Sequence, residues 1–183
     1  MSIFLIFFLF LSEVYSFERG NIFSFACGEV NIPVFGEFGD RESGFKRSFG
    51  LRVGVFKNYD DIISYGFISS QSSYYKNRQI DIEFKIFSFT PALFFWIDNQ
   101  RRYYLYGGVG IYHWSQPKTS SYLSTSSDEA GFRIGVGYKK NFYKKIGLGG
   151  GLEFEHLFNI NGKNFNLGPS NIISFSINLY LSL

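Results

Sequence analysis

Along most of this chain, apolar and polar residues alternate one for one. Successive side chains of a strand leave opposite faces, so this period marks strands with one face against something apolar. The last segment is the plainest: Ile173, Phe175, Ile177, Leu179, Leu181 and Leu183 fall on one face, and Ser174, Ser176, Asn178, Tyr180 and Ser182 on the other. Before it, Ile146, Leu148, Leu152, Phe154 and Phe158, with Gly150 and His156 among them, oppose Gly147, Gly149, Gly151, Glu153 and Glu155. Phe132, Ile134, Val136 and Tyr138 oppose Arg133, Gly135, Gly137 and Lys139. Leu105, Val109 and Ile111 oppose Tyr104, Tyr106, Gly108, Gly110 and Tyr112.

The first half repeats the rhythm. Phe49, Leu51, Val53 and Val55 oppose Gly50, Arg52 and Gly54, and Ile63, Tyr65 and Phe67 oppose Ser64, Gly66 and Ile68. Ile80, Ile82, Phe84 and Ile86 oppose Asp81, Glu83 and Lys85, after which Leu93, Phe95 and Ile97 become the apolar set. That change of phase predicts a β-bulge within Phe87 to Pro91, since one extra residue reverses the facing. An opening strand over about Asn21 to Ile32 loses its alternation near Gly28.

These segments make eight strands. Three connections are short and polar: Lys57 to Asp61, Asp98 to Arg102, and Asn141 to Lys144. Four are longer: Pro33 to Arg47, Ser72 to Arg78, Ser115 to Glu129, and Asn159 to Ser170. Short turns at one rim and long loops at the other is the arrangement of a transmembrane β-barrel. The expected fold is therefore all-β, a closed eight-stranded antiparallel up-and-down barrel.

Alternation alone does not say which face is inside, because a soluble lipocalin-type barrel has the same period. The polar face is rich in Gly and Ser, as a narrow interior requires, whereas a water-facing surface tends to be charged. The apolar face carries more Phe, Ile and Leu than an eight-strand lumen can hold. Its expected place is a bilayer. The charges Arg52, Asp81, Glu83, Lys85, Arg133, Lys139, Glu153 and Glu155 then belong to the lumen, where they are tolerable only when paired. Arg133 is predicted to pair with Glu153 or Glu155. Tyr103, Tyr138 and Tyr143, near strand ends, fit an interfacial aromatic girdle.

Residues Ile3 to Leu11 are nine apolar residues in a row. A membrane-spanning helix needs about 20, so the stretch reads as the h-region of a signal peptide, although no Lys or Arg precedes it. Val14 and Ser16 suit the −3 and −1 positions, which places cleavage after Ser16: residues 1–16 are the signal peptide and 17–183 the barrel domain. The net charge of +3 is scattered, which argues against nucleic acid. The single cysteine, Cys27, excludes an intrachain disulfide and reads as a plain strand residue.

Two pieces of the mature chain resemble small bacterial outer-membrane barrels of the OmpX, OmpA-barrel and OmpW type. They are Tyr104-Leu105-Tyr106-Gly107-Gly108-Val109-Gly110-Ile111-Tyr112 and the ending Phe175 to Leu183. The ending is similar to a C-terminal assembly signal, but with Leu183 where an aromatic is usual. The resemblance implies passage through the periplasm to the outer membrane and engagement by the barrel-assembly machinery. It implies a monomer among outer-membrane lipid and lipopolysaccharide. A weaker resemblance is to the lipid A 3-O-deacylases, whose His-x-Ser-Asn motif has its counterpart in His156-Leu157-Phe158-Asn159, followed by Asn166-Leu167-Gly168-Pro169. Phe158 stands where that family has its serine, and no acid follows to orient the histidine. His156 and His113 therefore read as interfacial residues, and no catalytic, cofactor or metal site is assigned.

The expected function is an integral outer-membrane barrel with a structural or surface-interaction role and no enzymatic activity. The alternatives are a narrow channel for small hydrophobic solutes and an inactive lipid A deacylase-like barrel. Ser115 to Glu129 is the loop most suited to surface recognition.

Overall fold

The alternating segments close on themselves. The computed structural model describes residues 22–35, 48–75, 83–116, 125–143, 145–158, 161–162, 165–166 and 169–182. The signal peptide and its cleavage site lie outside them. The strands are β1 (Ile22–Phe35), β2 (Ser48–Asn58), β3 (Ile63–Tyr75), β4 (Glu83–Trp96), β5 (Tyr103–Gln116), β6 (Thr125–Tyr143), β7 (Ile146–Leu157), β8 (Asn161–Gly162), β9 (Phe165–Asn166) and β10 (Ser170–Ser182). β8 and β9 form a two-residue ladder of their own. The other eight close a barrel in the order β1-β10-β7-β6-β5-β4-β3-β2, each antiparallel to both neighbours.

Facing follows the sequence reading on most strands. Phe175, Ile177, Leu179 and Leu181 of β10 are exposed on the outer wall, while Ser174, Asn178 and Tyr180 are buried in the lumen. Phe49 and Ile177 are about three-quarters exposed, at 77% and 75%. Large apolar side chains are left so open only where a bilayer covers them.

Two expectations fail, for one reason. The bulge within Phe87 to Pro91 is absent: β3 and β4 hold one register from Ile63↔Phe95 to Tyr75↔Glu83. Pairing with β5 lapses only at Thr90 and Pro91, where proline has no N–H to give. Ile86, Ser88, Thr90, Ala92, Phe94 and Trp96 therefore all point inward, and Lys85 lies on the outer wall rather than in the lumen. The opening strand runs continuously as expected, and its inward–outward alternation does not lapse at Gly28, since Phe23, Phe25, Cys27, Glu29 and Asn31 all face inward. The facing is constant, but the lumen changes from apolar to polar along its axis, and hydropathy inverts with it.

Several loops are also shorter than their composition suggests. Ser115–Gln116 and Thr125–Glu129 are strand, paired up to Gln116↔Thr125. Ser72 to Tyr75 and Pro33 to Phe35 likewise extend β3 and β1.

Bulky luminal rings are accommodated by glycines on the facing strand. A Cβ on Gly135 would overlap the Tyr106 ring, and one on Gly137 the Tyr104 hydroxyl. At the β4–β5 turn, the Asp98 carboxylate accepts the N–H groups of Arg102 (2.6 Å) and Tyr103 (2.9 Å) and pairs with the Arg102 guanidinium at 2.8 Å. The turn places Arg101 at φ 51°, in the left-handed region.

Gly135→Leu is expected to lower stability by about 1–3 kcal/mol, the cost of overpacking, read as a fall in the urea midpoint of barrel unfolding in lipid vesicles. Partial desolvation lifts the Asp98 carboxyl, but the Tyr103 N–H and the Arg102 side chain and N–H outweigh it and hold it at about 2, below its ordinary 3.8. A carboxyl lowered by folding stabilises above its unfolded pKa and ceases to do so as pH falls through the folded one. The turn should weaken between about pH 4 and pH 2, and Asp98→Asn should abolish that part of the pH dependence.

Candidate functional site

The lumen is built in three layers, starting from the short-turn end. There Phe23, Phe25, Phe56, Phe94, Trp96, Tyr104, Tyr106 and Tyr180 form one buried cluster. Phe94 stacks on Tyr106 at 5.0 Å between ring centroids, and Phe23 on Phe56 at 5.3 Å. Lys139, expected in the lumen, is buried there, its ammonium 5.4–5.9 Å from the rings of Tyr180, Trp96 and Phe23. A hollow of about 190 Å³ at this mouth is lined by Phe23, Trp96, Arg101, Lys139 and Asn141, among others, so it ends on the aromatic cluster.

Next comes a layer of buried charge. Arg52 Nε donates to Glu29 Oε2 at 2.8 Å, and Arg52 Nη1 to the Tyr106 hydroxyl at 2.5 Å and to Glu153. The Tyr106 hydroxyl in turn donates to Glu153. Arg133 lies 3.0 Å from Glu155 and 3.7 Å from Glu153, as its position opposite Glu155 in the β6–β7 ladder dictates. Its Nη2 also donates to Ser88 at 2.6 Å and Ser70 at 3.2 Å. Asn31 Nδ2 donates to Ser72 at 2.7 Å and Glu29 at 3.2 Å.

Sequence reasoning found Arg52, Arg133, Glu153 and Glu155 but missed Glu29, which counting every second residue from Phe23 would have placed in the lumen. Asp81 and the Glu83 side chain lie outside the described residues. Toward the loop rim, a second cluster of Tyr74, Ile86, Tyr112, Trp114, Leu157 and Ile172 covers the charges. Cys27 is a buried free thiol facing the lumen, a plain strand residue as expected.

On the outer wall, Tyr103, Tyr138 and Tyr143 are exposed at the short-turn end, Tyr103 against Tyr138 at 5.1 Å. Toward the loop rim the wall carries two histidines, each held by the residue opposite. His156 Nδ1 is 2.7 Å from Asn171 Oδ1, and its ring packs between Phe132 and Phe158. Phe158 is exposed, while Glu153 and Glu155 face the lumen. Among the described residues His156 thus has neither an acid nor a nucleophile beside it, and Asn159 lies outside them. His113 Nδ1 is 2.7 Å from Asp128 Oδ1, its direct partner across the β5–β6 ladder. Among the described residues no cluster of His, Cys, Asp or Glu is arranged to hold a metal.

The sequence matches no family model and no curated protein. The neisserial surface protein NspA superposes with a TM-score of 0.64 at 13% identity, over 88% of this chain and 97% of NspA. OprG, an outer membrane protein of Pseudomonas aeruginosa, gives 0.57 at 11% identity over 91% of this chain and 97% of its own. The fold is that of the small bacterial outer-membrane barrels. Ail, the attachment invasion locus protein of Yersinia pestis, is similar as well, at 0.54 and 17% identity over 91% of this chain and 100% of Ail. With its apolar wall turned outward, this chain shares the fold of those outer-membrane barrels.

Removing one partner of a buried ion pair leaves a stranded charge and costs about 3–5 kcal/mol. Glu153→Gln takes one of two carboxylates from both Arg52 and Arg133, leaving them Glu29 and Glu155 respectively, and should approach that figure in urea unfolding. Glu155→Gln, which relieves only Arg133, should cost less. Equal losses would contradict the network described.

Proposed function

We propose that the barrel works with its outside: it serves the outer membrane as a closed scaffold whose loop rim and outer wall meet lipid and other surface molecules, with no route through the lumen. The observation that carries this reading is the stacking of aromatic, charged and apolar layers across the whole lumen. An eight-stranded barrel is just wide enough for side chains to fill it, and here inward side chains from all eight strands do so.

The same filling speaks against a narrow channel for small hydrophobic solutes. A solute entering past Trp96 and Phe23 would meet Arg52, Glu29 and Glu153, whose hydrogen bonds it could not replace. His156 supports no deacylase reading, since Phe158 offers no nucleophilic atom. The partners this reading implies are outer-membrane lipid, lipopolysaccharide and, during biogenesis, the barrel-assembly machinery, with the barrel itself a monomer.

Reconstitution into planar bilayers tests the closed lumen. The native barrel should give no resolvable conductance steps, although heat-modifiable migration on a detergent gel shows it folded. Steady single-channel steps from the folded barrel would refute the reading.

A further inference from the structure

Among the described residues, Lys139 is the one luminal cation with no carboxylate beside it. Arg52 and Arg133 are each held by two glutamates. Lys139 is only 7% exposed, and its ammonium makes no hydrogen bond or ion pair with a described residue; it has only the rings of Tyr180, Trp96 and Phe23. A buried charge is costly unless it is paired and hydrogen-bonded, and cation–π contacts meet part of that demand.

Lys139 is not sealed in. It lines the hollow of about 190 Å³ at the short-turn mouth, and its backbone N–H donates to the Arg102 carbonyl at 2.6 Å, which ties this strand end to the β4–β5 turn. Arg101 of that turn lines the same hollow, close enough for the two cations to repel. No Asp or Glu is among the described lining residues. The acids of the neighbouring turns are engaged elsewhere. Asp60 accepts from the N–H groups of Ile62 and Ile63, and Asp98 from those of Arg102 and Tyr103. Asp61 pairs with Arg101 at 3.1 Å but is itself fully exposed.

The rest of the wall supplies donors. Asn58, Asn99, Gln100 and Asn141 bring side-chain amides to the hollow. One amide is already oriented. Trp96 Nε1 donates to Ser64 Oγ at 3.1 Å, and Ser64 Oγ donates to Asn58 Oδ1 at 2.7 Å, which leaves Asn58 Nδ2 as the donor. Two cations and several amides with no counter-charge among them suit an oxyanion. A phosphate group suits them better than a carboxylate, because it carries more charge and more acceptor oxygens.

We infer that the short-turn mouth of the barrel is an anion site that holds a phosphate group between Lys139 and Arg101. This end faces the periplasm in barrels of this kind. The phosphate belongs either to a soluble monoester or to the headgroup of a membrane lipid. The site goes beyond the closed-scaffold reading and opens no route through the lumen, since Phe23 and Trp96 close the hollow. Without the anion Lys139 is an unpaired charge in the fold; with it, Lys139 and Arg101 share a partner.

The test uses the full barrel refolded into phosphatidylcholine vesicles, with heat-modifiable migration verifying the folding of every variant. Inorganic phosphate and glycerol 3-phosphate are titrated at constant ionic strength, with chloride and acetate as controls. Tryptophan fluorescence reports the ammonium leaving the Trp96 ring, Trp114 lying in the other cluster. A second series replaces part of the lipid with phosphatidic acid. The expected result is a saturable change with a soluble phosphate, or one seen only with phosphatidic acid, which tells the two sources apart. Lys139→Met should weaken binding about tenfold or more, and Arg101→Gln by less. Lys140→Gln, at the same rim but on the outer wall, should bind as the native barrel does. The responding phosphate should raise the native urea midpoint and leave that of Lys139→Met unmoved. No saturable response in either series would overturn the proposal. So would an equal response to chloride or acetate, or undiminished binding by Lys139→Met or Lys139→Gln, whichever folds.

Discussion

An eight-stranded antiparallel barrel encloses a space that its own inward side chains can fill, and this one constraint organises the rest of the molecule. Whatever points inward must pack or pair, and whatever points outward must suit the bilayer. The chain meets the first demand by setting large against small across neighbouring strands. Tyr104 and Tyr106 on β5 lie over Gly137 and Gly135 on β6. It meets the second with rows of Phe, Leu, Ile and Val. Closure leaves the eight-strand sheet no unpaired edge, so apart from the lapse at Thr90 and Pro91 the described strand backbones pair with one another where no water is available.

The luminal charges follow from the same geometry. Two guanidiniums and three carboxylates share a layer sealed on both sides by rings. Such pairs contribute little net stability over a well-packed apolar core, but they are costly to break singly. Their value is in specifying register. Arg133 opposite Glu155, and Arg52 between Glu29 and Glu153, are satisfied only when four strands stand where they do. A one-residue slip of any of these strands would turn its own charges into the lipid and strand their partners.

Much of this was legible in the sequence, because a bilayer enforces period two on the outer face. The eight strands followed from it, and the direction of the apolar face and the Arg133 pairing from the Gly- and Ser-rich, sparsely charged polar face it separates out. β1 and β4 were misread because the lumen is not uniformly polar: Phe23, Phe25 and Ile86 are as apolar as anything on the outer wall. The periodicity of the side chains survives there while the periodicity of hydropathy does not. The histidines, read as interfacial, do lie on the outer wall toward the loop rim, but their partners were hidden for a different reason. His156 drew notice from the residues that follow it, but what matters is the residue opposite. That Asp128 stands across from His113 depends on the register of β5 against β6, which no local spacing reveals.

Everything above requires that the odd-numbered residues of β10 face lipid and the even-numbered ones the packed lumen. Nitroxide scanning of Ser174 to Leu181, with Cys27 replaced by alanine and the barrel in vesicles, measures this directly through collisional relaxation by oxygen. The account predicts high oxygen accessibility at 175, 177, 179 and 181, low values between them, and little access for a water-soluble nickel reagent at 177. High values at the even positions, or free access of the nickel reagent to residue 177, would contradict it.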